Sequence, residues 1–527
     1  MKKLLSSIPF TLILFFFLFT TPCPAKQMNI LVHPFENTGN KEYSWISAGM
    51  TDTVISDLTR IQNISVVSNQ DRRKILEEMK FIFSGLVEED KMIKLGKLTG
   101  ANVIFTGSYL VSGSRIRVYA RLINVETGKV ANSTKIDGTL KDIFDLQDKV
   151  VFTLMGNVEK ITIADIKPVT LTEQDKKKIE EKPKTSATAY EWYAKGLEVQ
   201  ATDPKKALTN FKKALDIDAN YTDALIQAGW TSGNILNLFD EALGYFEKAE
   251  QIFKSRNETK SVSYAIYMRK IGNVYWQKGQ LDRALEYYLR SQSISDNLGL
   301  QNTANYTYII TDIGLIYQYK GQPDRALEYY LRSQSISDNL GLQNTASYGN
   351  NMGNIGLSYR IKGQLDQSLK YCLNAQSIYG NLGLQNTADY AIITLNIGIA
   401  YRNKGQLDHA LEYYLRSQSI YDNLGLQNTA AYGNLIVSIG VVYNNTGQLD
   451  RALEYYLRSQ SIYDNLGLQN TANYAILILN IASLYEKMGQ SNMAGKYYRK
   501  SYDTFVRAGY SGELKDNVLN HAKRLGH

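Results

Sequence analysis

The chain has 527 residues, more than one hydrophobic core accommodates, so it divides into several domains or into a domain plus a repeat array. Hydrophobic residues at 44% and charged residues at 21% are ordinary globular proportions, which excludes wholesale disorder. A net charge of +8, from 59 basic and 51 acidic residues, is mild at this length, and no basic stripe with interleaved aromatics appears, so nucleic acid is not an expected partner.

Residues 1–25 read as an export signal. Lys2 and Lys3 give a positive start, Ile8 to Phe19 is almost wholly apolar, and Cys23-Pro24-Ala25 offers small residues for cleavage. The apolar run is about a dozen residues, short for a membrane span of about 20. An uncleaved anchor and lipidation at Cys23 are the alternatives; Pro22 stands where a lipoprotein signal carries a small residue. Once such a leader is removed, Cys372 is the sole remaining cysteine and has no internal disulfide partner. It stands where other repeats carry Tyr288, Tyr330 and Tyr414, so it reads as a packing residue.

Residues 28–161 change periodicity from segment to segment. Asn29–His33 is a short apolar strand ended by Pro34. Residues 43–61 have helical spacing, with Trp45, Ile46, Met50, Val54, Ile55 and Leu58 on one side. Ile64–Val67 is a second strand, and Ser68 or Asn69 can cap a helix reaching about Met79. Glu88–Leu98 is a further helix, stopped by Gly100. Three strands follow at Val103–Val111, Arg115–Val125 and Lys129–Ile136, then a helix from Lys141 to Ile161. In the middle strand Ile116, Val118, Ala120 and Leu122 alternate with polar residues, the signature of a sheet with one buried face. The expectation is a small α+β domain, a mixed sheet backed by helices.

The stretches "NILVHPFENTG", "GMTDTVISDLTRIQNISVVSNQDRRKILEEMKFIFSGL" and "KLGKLTGANVIFTGSYLVSGSRIRVYARLINVETGKV" resemble, in that order, the curli-secretion (CsgG-type) and flagellar outer-membrane (FlgO-type) domains. That resemblance implies an exported, periplasmic protein, a protein partner for this domain in the envelope, and scope for peripheral outer-membrane association. The long amphipathic hairpins that build the secretion barrel do not fit into so short a domain.

No catalytic constellation is legible. The four histidines, His33, His409, His521 and His527, lack metal-ligand partners at helical spacing. Neither a phosphate-loop signature nor a nucleophile elbow occurs. No enzyme activity, metal or cofactor is expected.

Residues 162–186 turn polar, "LTEQDKKKIEEKPKTSAT", and read as a charged linker.

From 187 onward the sequence repeats. "GQLDRALEYYLRSQSI" starts at Gly279, with relatives at Gly321, Gly363, Gly405, Gly447 and Gly489, a constant step of 42 residues. "NLGLQNTA" recurs from Asn297, Asn339, Asn381, Asn423 and Asn465. Each unit resolves into a helix A and a helix B. Helix A carries a small residue at its middle (Gly272, Gly314, Gly356, Gly398, Gly440, Ala482); helix B carries a small residue (Ala284, Ala326, Ser368, Ala410, Ala452, Ala494), followed in all but one unit by an aromatic four positions on. This resembles the tetratricopeptide repeat (TPR) in the lengthened form of kinesin light chains and of bacterial peptide-sensing regulators. The fold class expected is mainly α, a TPR solenoid of helix pairs behind the α+β domain. Two irregular units occupy 187–260, six regular ones 261–508, and a polar capping helix 510–527.

In TPR proteins helix A lines the concave face, and here helix A varies while helix B is nearly copied. One residue after the central small position come Asn273, Leu315, Leu357, Ile399 and Val441. Four after it come Trp276, Gln318, Arg360, Arg402 and Asn444, and five after it Gln277, Tyr319, Ile361, Asn403 and Asn445. By that resemblance these line a groove for a protein or peptide client. The functional expectation is a non-enzymatic interaction scaffold of the cell envelope. The alternative is an accessory component of an outer-membrane secretion or surface-structure assembly system.

Overall fold

A computed structural model describes residues 28–61, 64–67, 88–156, 169–181, 185–510 and 512–526. The leader, and the helix expected between Ser68 and Met79, lie outside the described residues.

The N-terminal domain is a mixed sheet in the order β3-β1-β4-β5-β6, with β2 beside β4. The strands are β1 Met28–Val32, β2 Glu36–Asn37, β3 Ile64–Val66, β4 Val103–Ser112, β5 Arg115–Asn124 and β6 Val130–Thr139. β1 is paired in parallel on both sides, and every one of its five residues is buried, which is why it reads as a continuous apolar run. β5 alternates because its two faces differ in depth. Among the described residues three helices cover the sheet. Those at α1 (Trp45–Leu58) and α3 (Ile143–Met155) bury Ile46, Met50, Val54, Val150 and Leu154 with Ile30, Val32 and Phe105. α2 (Glu88–Leu98) buries Met92, Leu95 and Leu98 on the other face with Leu31, Ile104 and Ile123.

The charged stretch 162–186 is not wholly a solvated connection. Thr172 and Asp175 form a reciprocal capping box that starts α4 (Glu173–Glu180). Ile179 and Val169 are 0% and 3% exposed, packed into the same core as α1. Charge dominates the composition and hides the two residues that dock.

Beyond it the helices run in pairs. α5 (Ala187–Val199) and α6 (Pro204–Ile217) form the first pair. α7 (Thr222–Trp230) and α8 (Phe239–Ser255) form the second, in which a π-helical turn at Thr231–Ile235 extends α7. Six regular pairs follow. Their helices A are α9 Val262–Gln277, α11 Ala304–Tyr319, α13 Ala346–Ile361, α15 Ala388–Asn403, α17 Ala430–Asn445 and α19 Ala472–Lys487. Their helices B are α10 Leu281–Asn297, α12 Pro323–Asn339, α14 Leu365–Asn381, α16 Leu407–Asn423, α18 Leu449–Asn465 and α20 Ser491–Arg507. A last helix, α21 (Glu513–Arg524), buries Val518 and Ala522 against the end of the array.

The repeated text encodes each boundary. Thr303, Thr345, Thr387, Thr429 and Thr471 cap the helices A, each hydroxyl accepting from the backbone N–H three residues on. Helix α12 ends where Gly341 takes φ 72°, which lets Leu342 N–H donate to the Ser337 carbonyl at 2.9 Å. The small residue inside helix A is a packing requirement: a Cβ on Gly314 would lie 2.7 Å from the Tyr330 ring. Cys372 is free and buried, in the position of that tyrosine.

The N-terminal domain does not stand apart. A Cβ on Gly49 of α1 would meet the Tyr190 hydroxyl at 2.6 Å and the Ala194 methyl at 2.8 Å, so the two helices touch there at backbone distance. Tyr193 donates to Asp52 at 2.6 Å and Gln147 donates to the Tyr190 hydroxyl at 2.6 Å. A second contact joins Gly100 to Leu342 and Thr345, between α12 and α13.

Candidate protein-binding groove

Helices A follow one another along the array, and bonds between them define one continuous face. Arg269 pairs with Asp312 at 2.6 Å, the Trp276 and Tyr319 rings lie 6.3 Å apart, Ser358 donates to Gln318 at 3.3 Å, and Lys487 donates to Asn444 at 2.9 Å. Residues six before, and one, four and five after, the central small residue fall on this face, because seven residues make nearly two helical turns.

None of the fifteen residues expected in the groove is buried. Asn273, Leu315, Leu357, Ile399 and Val441 are half-buried along its floor. Asn273 also serves packing, since it accepts the Tyr288 hydroxyl at 2.5 Å. Gln318, Arg360, Arg402, Asn444 and Trp276 are half-buried one turn on. Gln277, Tyr319, Ile361, Asn403 and Asn445 are exposed, with Tyr319 at 61% and Ile361 at 49%.

Sequence reasoning missed the position six before the small residue. It places Ile266, Ile392 and Ile476 on the same face, 37–42% exposed. The signal was present, one heptad ahead of the floor positions. In the first pair the central residue is Gly196, packed on Phe211, and the position six before it is Tyr190, which lies against α1 together with Tyr193 and Ala194. There α1 covers them. The sheet domain thus occupies this side of the first helix A, and it touches the array again where β3 lies beside α11 and Gly100 beside Leu342 and Thr345.

The paired tyrosines divide between structural roles. Tyr288, Tyr330, Tyr414 and Tyr456 are buried under the small residue of helix A. Tyr287 stacks on Tyr275 at 5.3 Å and Tyr329 on Tyr317 at 5.5 Å. Lys278, Lys320, Lys362 and Lys404 each reach an aspartate at the start of the preceding helix B, Asp240, Asp282, Asp324 and Asp366. Exposed pairs of this kind contribute little apiece.

The helix pairs are tetratricopeptide repeats. Residues 234–297 and 347–423 match one tetratricopeptide-repeat family model, and 308–340, 434–466 and 475–503 match another. At the N-terminus residues 15–114 match the curli production assembly/transport component CsgG, and the chain is therefore a tetratricopeptide-repeat protein carrying a CsgG-type domain. A curated relative called "Putative adenylate cyclase 3" from Rhizobium meliloti (strain 1021) is 26% identical over 200 residues, 37% of this chain; the match spans 31% of that relative's length. Among solved structures, a Rap protein complexed with competence and sporulation factor is 13% identical, with a TM-score of 0.45, covering 66% of this chain and 92% of its own. Nearly identical kinesin-light-chain-type repeats from Podospora anserina are 16% identical, with a TM-score of 0.34, covering 39% of this chain and 97% of their own.

Proposed function

We propose that the chain is a non-enzymatic protein-interaction scaffold of the bacterial cell envelope, exported to the periplasm, whose helix A face holds a protein or peptide client. The observation that carries this reading is the open groove itself. It is a continuous face across six repeats, where side chains vary from unit to unit while the packing residues beneath them are copied. Burying such a face against a partner releases water from Leu315, Tyr319, Leu357, Ile361 and Ile392, and Trp276 supplies an aromatic anchor.

The CsgG match supports the envelope setting and favours a second reading, an accessory component of an outer-membrane secretion or surface-structure assembly system. Among the described residues no helix is long and apolar enough to cross a membrane. We assign no reaction to the chain; the cyclase name belongs to a protein of which less than a third is matched.

Affinity capture from an envelope extract tests the scaffold reading. A variant with Trp276→Ala, Tyr319→Ser and Ile361→Ser loses its partners. A variant with Leu289→Ser, Leu415→Ser and Leu457→Ser, on exposed positions of helices B, keeps them. The reverse pattern removes the groove from the account.

A further inference from the structure

Away from the groove, a cavity of about 80 Å³ lies in the seam between the sheet domain and the first repeats. Its wall is formed by α1 on one side and by the start of α7 and the end of α8 on the other. Much of its polar lining is already engaged. Tyr193 donates to Asp52 at 2.6 Å, Thr185 to Asp218 at 2.6 Å and Arg256 to Thr222 at 3.2 Å, and Asp223 is engaged as well.

Of the charged and phenolic groups on the wall, three make no side-chain hydrogen bond or ion pair among the described residues: Arg60, Tyr221 and Glu258. Arg60, just past α1, is half-buried, and its Nε is buried without a partner. Tyr221, just before α7, is 9% exposed and its ring lies 5.0 Å from that of Tyr193, yet its hydroxyl is unbonded. Glu258 is half-buried past the end of α8. Asn257 takes φ 55° there, and the Glu258 N–H donates to the Phe253 carbonyl at 2.9 Å, which seats Glu258 against the helix end.

Arg60 and Glu258 thus carry opposite charges on one cavity wall without pairing with each other. A charge withdrawn from water without a partner is unfavourable, and a molecule bearing both complementary charges relieves the two together. At about 10–15 Å³ for each water-sized group, the cavity takes a molecule of about six non-hydrogen atoms.

We infer that the seam cavity binds a small free α-amino acid. Its carboxylate lies on the Arg60 guanidinium, whose N–H fork suits the two oxygens. Its ammonium donates to the Glu258 carboxylate and to the Tyr221 oxygen. Arg60 belongs to the sheet domain, whereas Tyr221 and Glu258 belong to the repeats. The ligand therefore ties the two parts together and raises the temperature at which they unfold.

Isothermal titration calorimetry on the full chain tests this with L-alanine, with ethylamine, which lacks the carboxylate, and with propionate, which lacks the ammonium. Alanine binds about tenfold tighter than either, the worth of one charge-assisted hydrogen bond. Arg60→Gln brings alanine down to the level of ethylamine, and Glu258→Gln brings it down to that of propionate. Tyr221→Phe, which keeps the ring, weakens alanine binding while circular dichroism shows the helices retained. Glu247→Gln, at an exposed position of α8, changes nothing.

No saturable heat with alanine up to about 10 mM, tenfold above a millimolar Kd, overturns the site. Ethylamine or propionate binding as tightly as alanine overturns the amino-acid assignment. Alanine binding that survives both Arg60→Gln and Glu258→Gln removes it from this cavity and overturns the inference.

Discussion

Tyr193, in the first helix of the repeat array, donates its hydroxyl hydrogen to Asp52 in the first helix of the sheet domain, 2.6 Å away and 141 residues earlier in the chain. Around this bond Tyr190, Ala194 and Gly49 close the gap between the two helices. The domain and the first repeats therefore share one core, and they should unfold together.

Replacing Gly49 tests this union. An added methyl group has no free space beside Tyr190 and Ala194, so Gly49→Ala is expected to destabilise by about 1–3 kcal/mol, the usual range for overpacking, despite its better helix propensity. Calorimetry of the wild type should show α1 and the first repeats melting in one transition. The variant should lower that transition or split the domain from it; an unchanged melting profile would mean the contact carries no weight.

Two glycines of neighbouring helices A give opposite expectations. Gly314→Ala drives a Cβ to 2.7 Å from the Tyr330 ring and should destabilise by about 1–3 kcal/mol. At Gly353 the nearest foreign atom is Ile393 Cγ1 at 3.5 Å, ordinary contact, so Gly353→Ala should stabilise by about 0.5–1 kcal/mol through reduced backbone entropy in the unfolded chain. Urea denaturation of both variants decides the matter, and the same sign for the two would contradict the packing argument.

Alkaline pH should dismantle the array. Burial raises Tyr414, Tyr421 and Tyr456 from the ordinary value near 10 to about 12. A raised folded-state value means that the unfolded chain ionises first. The stability these residues confer is complete below pH 10 and is lost as pH climbs from about 10 to about 12. Circular dichroism followed against tyrosinate absorbance should show helix loss accompanying ionisation of the buried tyrosines. Full tyrosinate absorbance with helicity retained would contradict their burial.

The repeat array was legible because a 42-residue step leaves its caps, breaks and small residues in register. Helix α11 starts at Ala304, directly behind its capping Thr303 in the repeated text. The sheet strands were legible from alternation in β5 and from the continuous apolar run of β1. The union of the two parts was not, since no local periodicity marks Gly49 and Tyr190 as partners 141 residues apart. Composition also concealed Ile179, one apolar residue among lysines and glutamates. In the groove, variation in helix A pointed to Trp276, Arg360 and Arg402. That the Tyr414 hydroxyl, like those of Tyr330 and Tyr456, has no partner among the described residues could not be read, because its sequence context is nearly identical to that of Tyr288, whose hydroxyl is satisfied. What differs is the residue facing it: Asn273 for Tyr288 and Glu486 for Tyr498.

Site-directed photo-crosslinking tests the central claim, that the helix A face is where the partner sits, most directly. A photoreactive phenylalanine analogue placed at Tyr319, Ile361 or Asn403 in the full chain, expressed in its own envelope, is predicted to trap the same partner from each position. The analogue at Leu289 or Leu457, on helices B, is predicted to trap none. Crosslinks from Leu289 and Leu457 with silence at Tyr319, Ile361 and Asn403 would place the partner on the opposite face and contradict the account.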